Sequence, residues 1–189
     1  MTGDDVERAL GELLAALTPL TEDDWQAAAG DLEWTCRATV AHIAHDLFAY
    51  AAQLATGAKD AYLPHDLVAR PVASNAELLQ VVTAAGRILA TVVRSRGPEA
   101  RAWHWGPTGP DGFAALGVNE ILLHTWDVTR GLGAPEWRPP ADLCAAVLAR
   151  LFPNAPGADP VDGLLWCTGR IALPDRPRLT SWKLHASLD

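Results

Sequence analysis

The segment from Phe113 to Arg130 constrains the fold more than any other part of the chain. Phe113, Leu116 and Leu123 keep helical spacing, and Glu120, His124 and Asp127 fall on the same narrow face. Around a helix, residues four apart differ by about 40°, and residues three apart by about 60° to the other side. The stripe they share is the one that should enter a core. Three ionisable groups inside an apolar stripe are costly unless something compensates them. A chain with this segment must therefore build a packed helical interior and bring a partner to that point: a bound cation, or arginine side chains.

The rest of the sequence supplies such an interior. Val6, Leu10, Leu13, Leu14 and Leu17 mark a first helix over Asp4 to Leu17, opened by a Thr2/Asp5 capping box and ended by Thr18-Pro19. Thr35 is a good N-cap for a second helix reaching Thr56, with Gly57 as its stop. Residues 58–73, with Pro64 and Pro71, read as an ordered loop. A third helix opens on the Ser74/Glu77 capping box and runs to Arg96, where Gly97-Pro98 stops it. Residues 101–112 form a loop rich in Trp, Gly and Pro, and Gly131 is the C-terminal signal of the fourth helix. A shorter fifth helix follows Pro139-Pro140, and Asp159 to Cys167 reads as a short helix ended by Gly169. Residues 171–184 look extended or irregular, broken by Pro174 and Pro177.

Strand-like alternation is nearly absent, so the expected class is mainly α: a four-helix bundle with an additional short helix and an irregular C-terminal segment. The expected division is a bundle over residues 1–155 and a C-terminal extension over 156–189, packed on it. The loops between the first four helices are too long for a minimal up-and-down bundle, and long loops in a compact domain are often functional.

Composition removes several classes of function. With 49% hydrophobic residues, disorder is not expected. No uninterrupted apolar run approaches the ~20 residues that cross a bilayer, and the acidic start Met1-Thr2-Gly3-Asp4-Asp5 does not resemble a secretory signal. A net charge of −8 argues against nucleic-acid and anionic-membrane partners, which need clustered cations. Three cysteines, Cys36, Cys144 and Cys167, without a CxxC pair, favour neither a disulfide framework nor a Cys-rich zinc site. The cytoplasm is the expected compartment, a small molecule the expected partner, and the oligomeric state is left open, a homodimer included.

Two ligands on one helix do not complete a metal site. The second helix offers His42, one turn before Asp46. Asp46 lies at the edge of that helix's apolar stripe and His42 beyond it, but the helix is apolar nearly all round, which should bury it. His42 could then reach across the bundle to Glu120 and His124. Two imidazoles and one carboxylate match the composition of catalytic zinc sites with one position open, and they suit zinc or nickel better than manganese. Asp127 would orient a ligand, Asp46 would support the network, and Arg101 and Arg170 are candidates to hold an anionic substrate. Trp103 and Trp105 could line a pocket. Cys36, on the first turn of the second helix, is either a thiol activated by the helix dipole or plain packing. His45 should face solvent.

These residues resemble a known family. Trp34-Thr35, followed by Val40-Ala41-His42, is similar to the opening of the metal-binding helix in the DinB-like superfamily. The run from Glu120 through His124 to Trp126-Asp127 resembles the E-x-x-x-H-x-W-D helix of the mycothiol-dependent maleylpyruvate isomerase family, and Leu164 to Arg170 resembles a segment near the end of its shorter members. The resemblance implies a DinB-like bundle with zinc or another divalent metal on His42, Glu120 and His124, and mycothiol or a similar thiol as cofactor. A metal-bound thiolate would be the nucleophile at neutral pH. The full isomerase carries a substantial C-terminal domain where this chain has residues 156–189. The implied activity is therefore the wider class, a thiol transferase or cis–trans isomerase acting on a small electrophile. Two alternatives stand beside it: a metal-containing bundle that binds or stabilises without turnover, and a metal-free helical module in which Glu120, His124 and Asp127 pair with arginines.

Overall fold

The computed structural model describes residues 1–157 and 159–188. Local chemistry sets the helix limits. In α1 (Gly3–Leu17) the Thr2 hydroxyl accepts from the Asp5 amide, and the Asp5 carboxylate accepts from the Thr2 amide at 2.8 Å. A short 3₁₀ turn, Thr18–Leu20, carries the chain past Pro19. Thr35 caps α2 (Cys36–Thr56), its Oγ1 accepting from the Ala38 amide at 3.1 Å, and Gly57 ends it at φ +65°, a left-handed conformation that glycine adopts without penalty. The Ser74/Glu77 box opens α3 (Asn75–Ser95). A two-residue antiparallel pair, β1 (Ala102–Trp103) with β2 (Pro107–Thr108), folds the following loop back on itself. Then come α4 (Pro110–Gly131), α5 (Ala141–Leu151) and α6 (Pro160–Cys167). The molecule is mainly helical around a packed core, as the periodicity predicts.

Helix α4 is the axis of the bundle, with 18 of its 22 residues buried. Sequence spacing predicts one buried stripe; the observed helix is covered by α1, α2, α3 and α5 together. Both α1 and α2 pack on α3 and on α4, which puts α1 and α2 on a diagonal. That arrangement explains the long connections, because the chain must cross the end of the bundle between α1 and α2. Among the helices of the described residues, α3 alone is long and apolar enough to cross a membrane by length and composition. Here its Leu78, Val82, Leu89 and Val93 face are buried in the bundle.

The C-terminal part is tied down by arginines. Helix α6 packs on α5, which packs on α4. Arg150 pairs with Asp111 at 2.6 Å and donates to the Ala186 carbonyl at 2.7 Å. Residues 171–184 form no helix or strand, and carry only an isolated bridge between Leu173 and Arg176.

Candidate metal centre

Helices α2 and α4 bring His42, Glu120 and His124 together. One ligand atom from each lies within 4.8 Å of the other two, a set able to hold a metal ion. Glu120 Oε2 stands 3.2 Å from His124 Nε2 and 3.6 Å from His42 Nε2. The two imidazole rings meet edge to face with centroids 5.1 Å apart. The most open of the three is His42, with 29% of its side chain exposed, so access comes from its side. Trp34, from the loop before α2, lies against the His42 ring at 4.9 Å.

Behind His124 the support is buried and specific. Its Nδ1 is 3.0 Å from Asp127 Oδ2, one turn along α4. Arg170, just beyond α6, grips the same carboxylate with two hydrogen bonds, Nε to Oδ1 at 3.0 Å and Nη2 to Oδ2 at 2.6 Å. Its remaining nitrogen donates to the Thr168 carbonyl. A bidentate buried pair of this kind fixes geometry as well as charge. With Asp127 accepting from Nδ1–H, the imidazole directs Nε2 towards Glu120 and His42, and once that nitrogen gives up its proton its lone pair points there, the outer support typical of histidine metal ligands.

Electrostatics of the metal-free cluster agree with this geometry. Burial opposes a charge on His124, but hydrogen bonds to Asp127 and Glu120 and their negative charge outweigh it, raising its pKa to about 9. Burial likewise opposes ionisation of Glu120, yet the hydrogen bonds and charges of His124 and His42 hold it well below the usual carboxylate range. Asp46 stands 3.5 Å from His42 Nε2 and accepts from the Tyr50 hydroxyl at 3.2 Å. Burial and the charge of Glu120 raise its pKa, so it resists ionisation beside an ionised neighbour.

Other sequence candidates fall elsewhere. Arg101 is not at the cluster: its Nη1 donates to the carbonyls of Pro98 and Ala100 in the loop after α3. Arg170 lines a cavity at the site, but its guanidinium is committed to Asp127 and Thr168, which makes it a clamp rather than a free anion receptor. Cys36 is buried against Val128 and Ala28, and desolvation pushes its thiol up to about 11, which opposes a thiolate and fits a packing role. His45 is half-buried and accepts from the Leu67 amide at 3.1 Å, pinning the loop after α2 rather than facing solvent.

Three cavities surround the cluster. One of about 520 Å³ runs from His42 and Trp34 along α2 to Leu67, Val68 and Leu78. A second, about 630 Å³, is lined by His42, His124, Trp34, Arg170, Arg178, Thr180 and Trp182. Beyond Asp46 lies a third of about 680 Å³, with Tyr50, Tyr62, His104 and Trp105 in its wall. There the Tyr62 hydroxyl is hydrogen-bonded to His104, and burial lowers the His104 pKa to about 4. Trp105 thus lines a pocket, whereas Trp103 packs on Tyr62 and Trp105. Sequence reasoning missed Arg178 and Trp182 altogether, since nothing local in residues 171–184 signals what they face. The i+4 spacing of Tyr50 from Asp46 is the signal that could have placed the two together.

No curated protein and no solved structure matches the chain. Residues 6–129, from the first helix to the end of the Glu120–Asp127 run, match the mycothiol maleylpyruvate isomerase N-terminal domain. That span carries all three members of the cluster, and the chain belongs to the mycothiol maleylpyruvate isomerase N-terminal domain family.

Proposed function

We propose that this protein is a metal-dependent enzyme, with zinc as the metal, acting on a small electrophilic substrate with a low-molecular-weight thiol such as mycothiol. The observation that carries the proposal is the convergence of His42, Glu120 and His124 at the junction of two cavities, backed by the buried Asp127–Arg170 pair. Two imidazoles and a carboxylate make the donor set of catalytic zinc sites that keep a position open. A divalent ion held there would supply a Lewis acid that keeps a bound thiol as its thiolate.

The chain's own residues do the rest. Asp127 holds the proton on His124 Nδ1, which leaves Nε2 free to ligate, and Arg170 holds that carboxylate in place. Trp34 and the walls of the two cavities shape the approach on either side of His42. Asp46, hydrogen-bonded to Tyr50 and resistant to ionisation, stands where it can exchange a proton with a group bound beside His42. In this scheme residues 1–155 form the bundle that carries the metal, and residues 156–189 form an extension that braces it through Arg170. The three free, buried cysteines suit a reducing cytoplasm.

The opening on the His42 side favours turnover over a purely structural ion. Of the three residues that could close a fourth position, His45 is held by Leu67 and His104 by Tyr62, while Asp46 stands beside the cluster, 3.5 Å from His42 Nε2, and is engaged by the Tyr50 hydroxyl. Elemental mass spectrometry on the purified protein and on His124→Ala tests the reading. One zinc per chain, lost in the variant, is expected. No metal in either protein after incubation with zinc would overturn it.

A further inference from the structure

The two histidines of the cluster are held in unequal ways. His124 has Asp127 behind its Nδ1, and Arg170 behind that carboxylate. His42 has no such brace. Both of its charged contacts, Asp46 at 3.5 Å and Glu120 at 3.6 Å, are made by Nε2, and among the described residues no group hydrogen-bonds its Nδ1. The partner on the second nitrogen is what usually fixes the orientation of a ligand imidazole. In its place His42 has rings. Trp34 meets it with centroids 4.9 Å apart and planes at 65°, and His124 meets it at 5.1 Å and 83°. Both are edge-on contacts, the arrangement that aromatic quadrupoles favour.

Core packing does not account for Trp34. Its residue is 47% exposed and stands in the wall of both cavities that reach His42. Its backbone, by contrast, is fixed. The Trp34 carbonyl accepts from the Ala29 amide at 2.9 Å, and the adjoining Thr35 bridges to Ala28 and caps α2. Ala28 and Ala29 in turn lie against Gly131 at the end of α4. The indole is therefore presented to His42 from a segment anchored on both helices that carry the cluster. We infer that Trp34 is the positioning residue of His42: its ring holds the imidazole with Nε2 directed at Glu120, the part that Asp127 plays for His124 through a hydrogen bond. An aromatic pair is worth roughly two- to tenfold in an equilibrium, against the roughly 10–100-fold of an outer carboxylate, so His42 is the more loosely held of the two. The inference rests on the proposed function only in naming a metal as what this orientation serves.

Nuclear magnetic resonance of the metal-free protein and a zinc titration test it on the wild type, Trp34→Phe and Trp34→Leu. In the wild type, nuclear Overhauser contacts should join the Trp34 indole protons to the His42 ring protons, and the indole's ring current should displace the His42 resonances. Trp34→Leu keeps apolar bulk without a ring. It should abolish that displacement and weaken zinc, in competition with a chromophoric chelator, by about five- to tenfold. Trp34→Phe restores a ring and should keep zinc affinity within about twofold of the wild type. Missing Trp34–His42 contacts, a leucine variant that binds zinc as the wild type does, or a phenylalanine variant no better than leucine would overturn the inference. The wild-type spectrum carries the test alone if the leucine variant does not fold. The two readings also fail separately. A wild type that takes up no zinc yet shows the contacts overturns the proposed function and leaves the ring pairing standing, and one that holds zinc without the contacts overturns only the role of Trp34.

Discussion

Asp127 does two things at once: it accepts from His124 Nδ1 and it neutralises Arg170. Asp127→Asn keeps the shape but removes the charge, leaving a buried guanidinium without its partner and the imidazole free to turn. Loss of such an outer-shell carboxylate typically weakens a metal site by about 10–100-fold. Competition with a chromophoric chelator should show a fall of that size for zinc, whereas Asp46→Asn should change the affinity far less. The proton on His124 gives a second expectation at this scale. Its pKa is raised from 6.5 to about 9 in the metal-free fold, so the pairing stabilises that fold fully below about pH 6.5 and is lost as pH rises through 9. Thermal or urea unfolding of the metal-free protein at pH 6 and pH 9.5 should differ by on the order of 2 kcal/mol in favour of the lower pH. Zinc must displace that proton, so its affinity should move the other way, gaining roughly tenfold per pH unit up to about 9. A metal-free protein equally stable at both pH values would mean that His124 is not held by Asp127 and Glu120.

At the level of elements, α4 owes its position to small residues as much as to apolar ones. A side chain on Gly131 would meet the Ala28 carbonyl oxygen at 2.2 Å and the Cys36 sulfur at 2.6 Å, because the loop before α2 crosses the helix end there. Gly131→Ala should therefore destabilise by about 1–3 kcal/mol, read as a lower urea midpoint, despite alanine's better helix propensity. The sequence marks Gly131 as the stop of α4, but the residue is the last of the helix, and the left-handed turn comes at Gly133, φ +74°. The two roles of glycine look alike in one dimension. Where a cap is local the limits are readable: Thr2 with Asp5, Thr35, Gly57, and Ser74 with Glu77 all act within four residues. The meeting of Glu120 with His124 is equally local. That His42 joins them depends on α2 packing against α4, and follows from the helix being apolar nearly all round rather than from one stripe. Arg170 reaches Asp127 across 43 residues, and Arg101 stays away, because the path of a loop is set by contacts no periodicity reports.

For the whole molecule, the centre lies between two elements that the sequence separates widely, α2 and α4, while Arg170 brings in the C-terminal part. In the metal-free protein the junction holds only hydrogen bonds and charge pairs among partly buried groups, two of them carboxylates on the same side of His42. A divalent ion held there would convert that balance of charges into a cross-link between the helices, and its binding free energy would add to folding because the unfolded chain has no such site. At free zinc about a thousandfold above its dissociation constant the gain is about 4 kcal/mol. For a chain of this length each kcal/mol moves the melting temperature by about 2–4 °C. Stripping with a strong chelator should thus lower Tm by about 10 °C at pH 7.5, readdition of zinc should restore it, and His42→Ala should melt near the stripped temperature with or without zinc. The expected loss is not confined to the α2–α4 junction. Because Asp127 links His124 to Arg170, loss of the cross-link should quicken amide exchange in residues 164–170 as well as around His42. A Tm indifferent to chelator, with exchange unchanged in both segments, would mean that hydrogen bonding alone carries the junction and that no metal joins these helices.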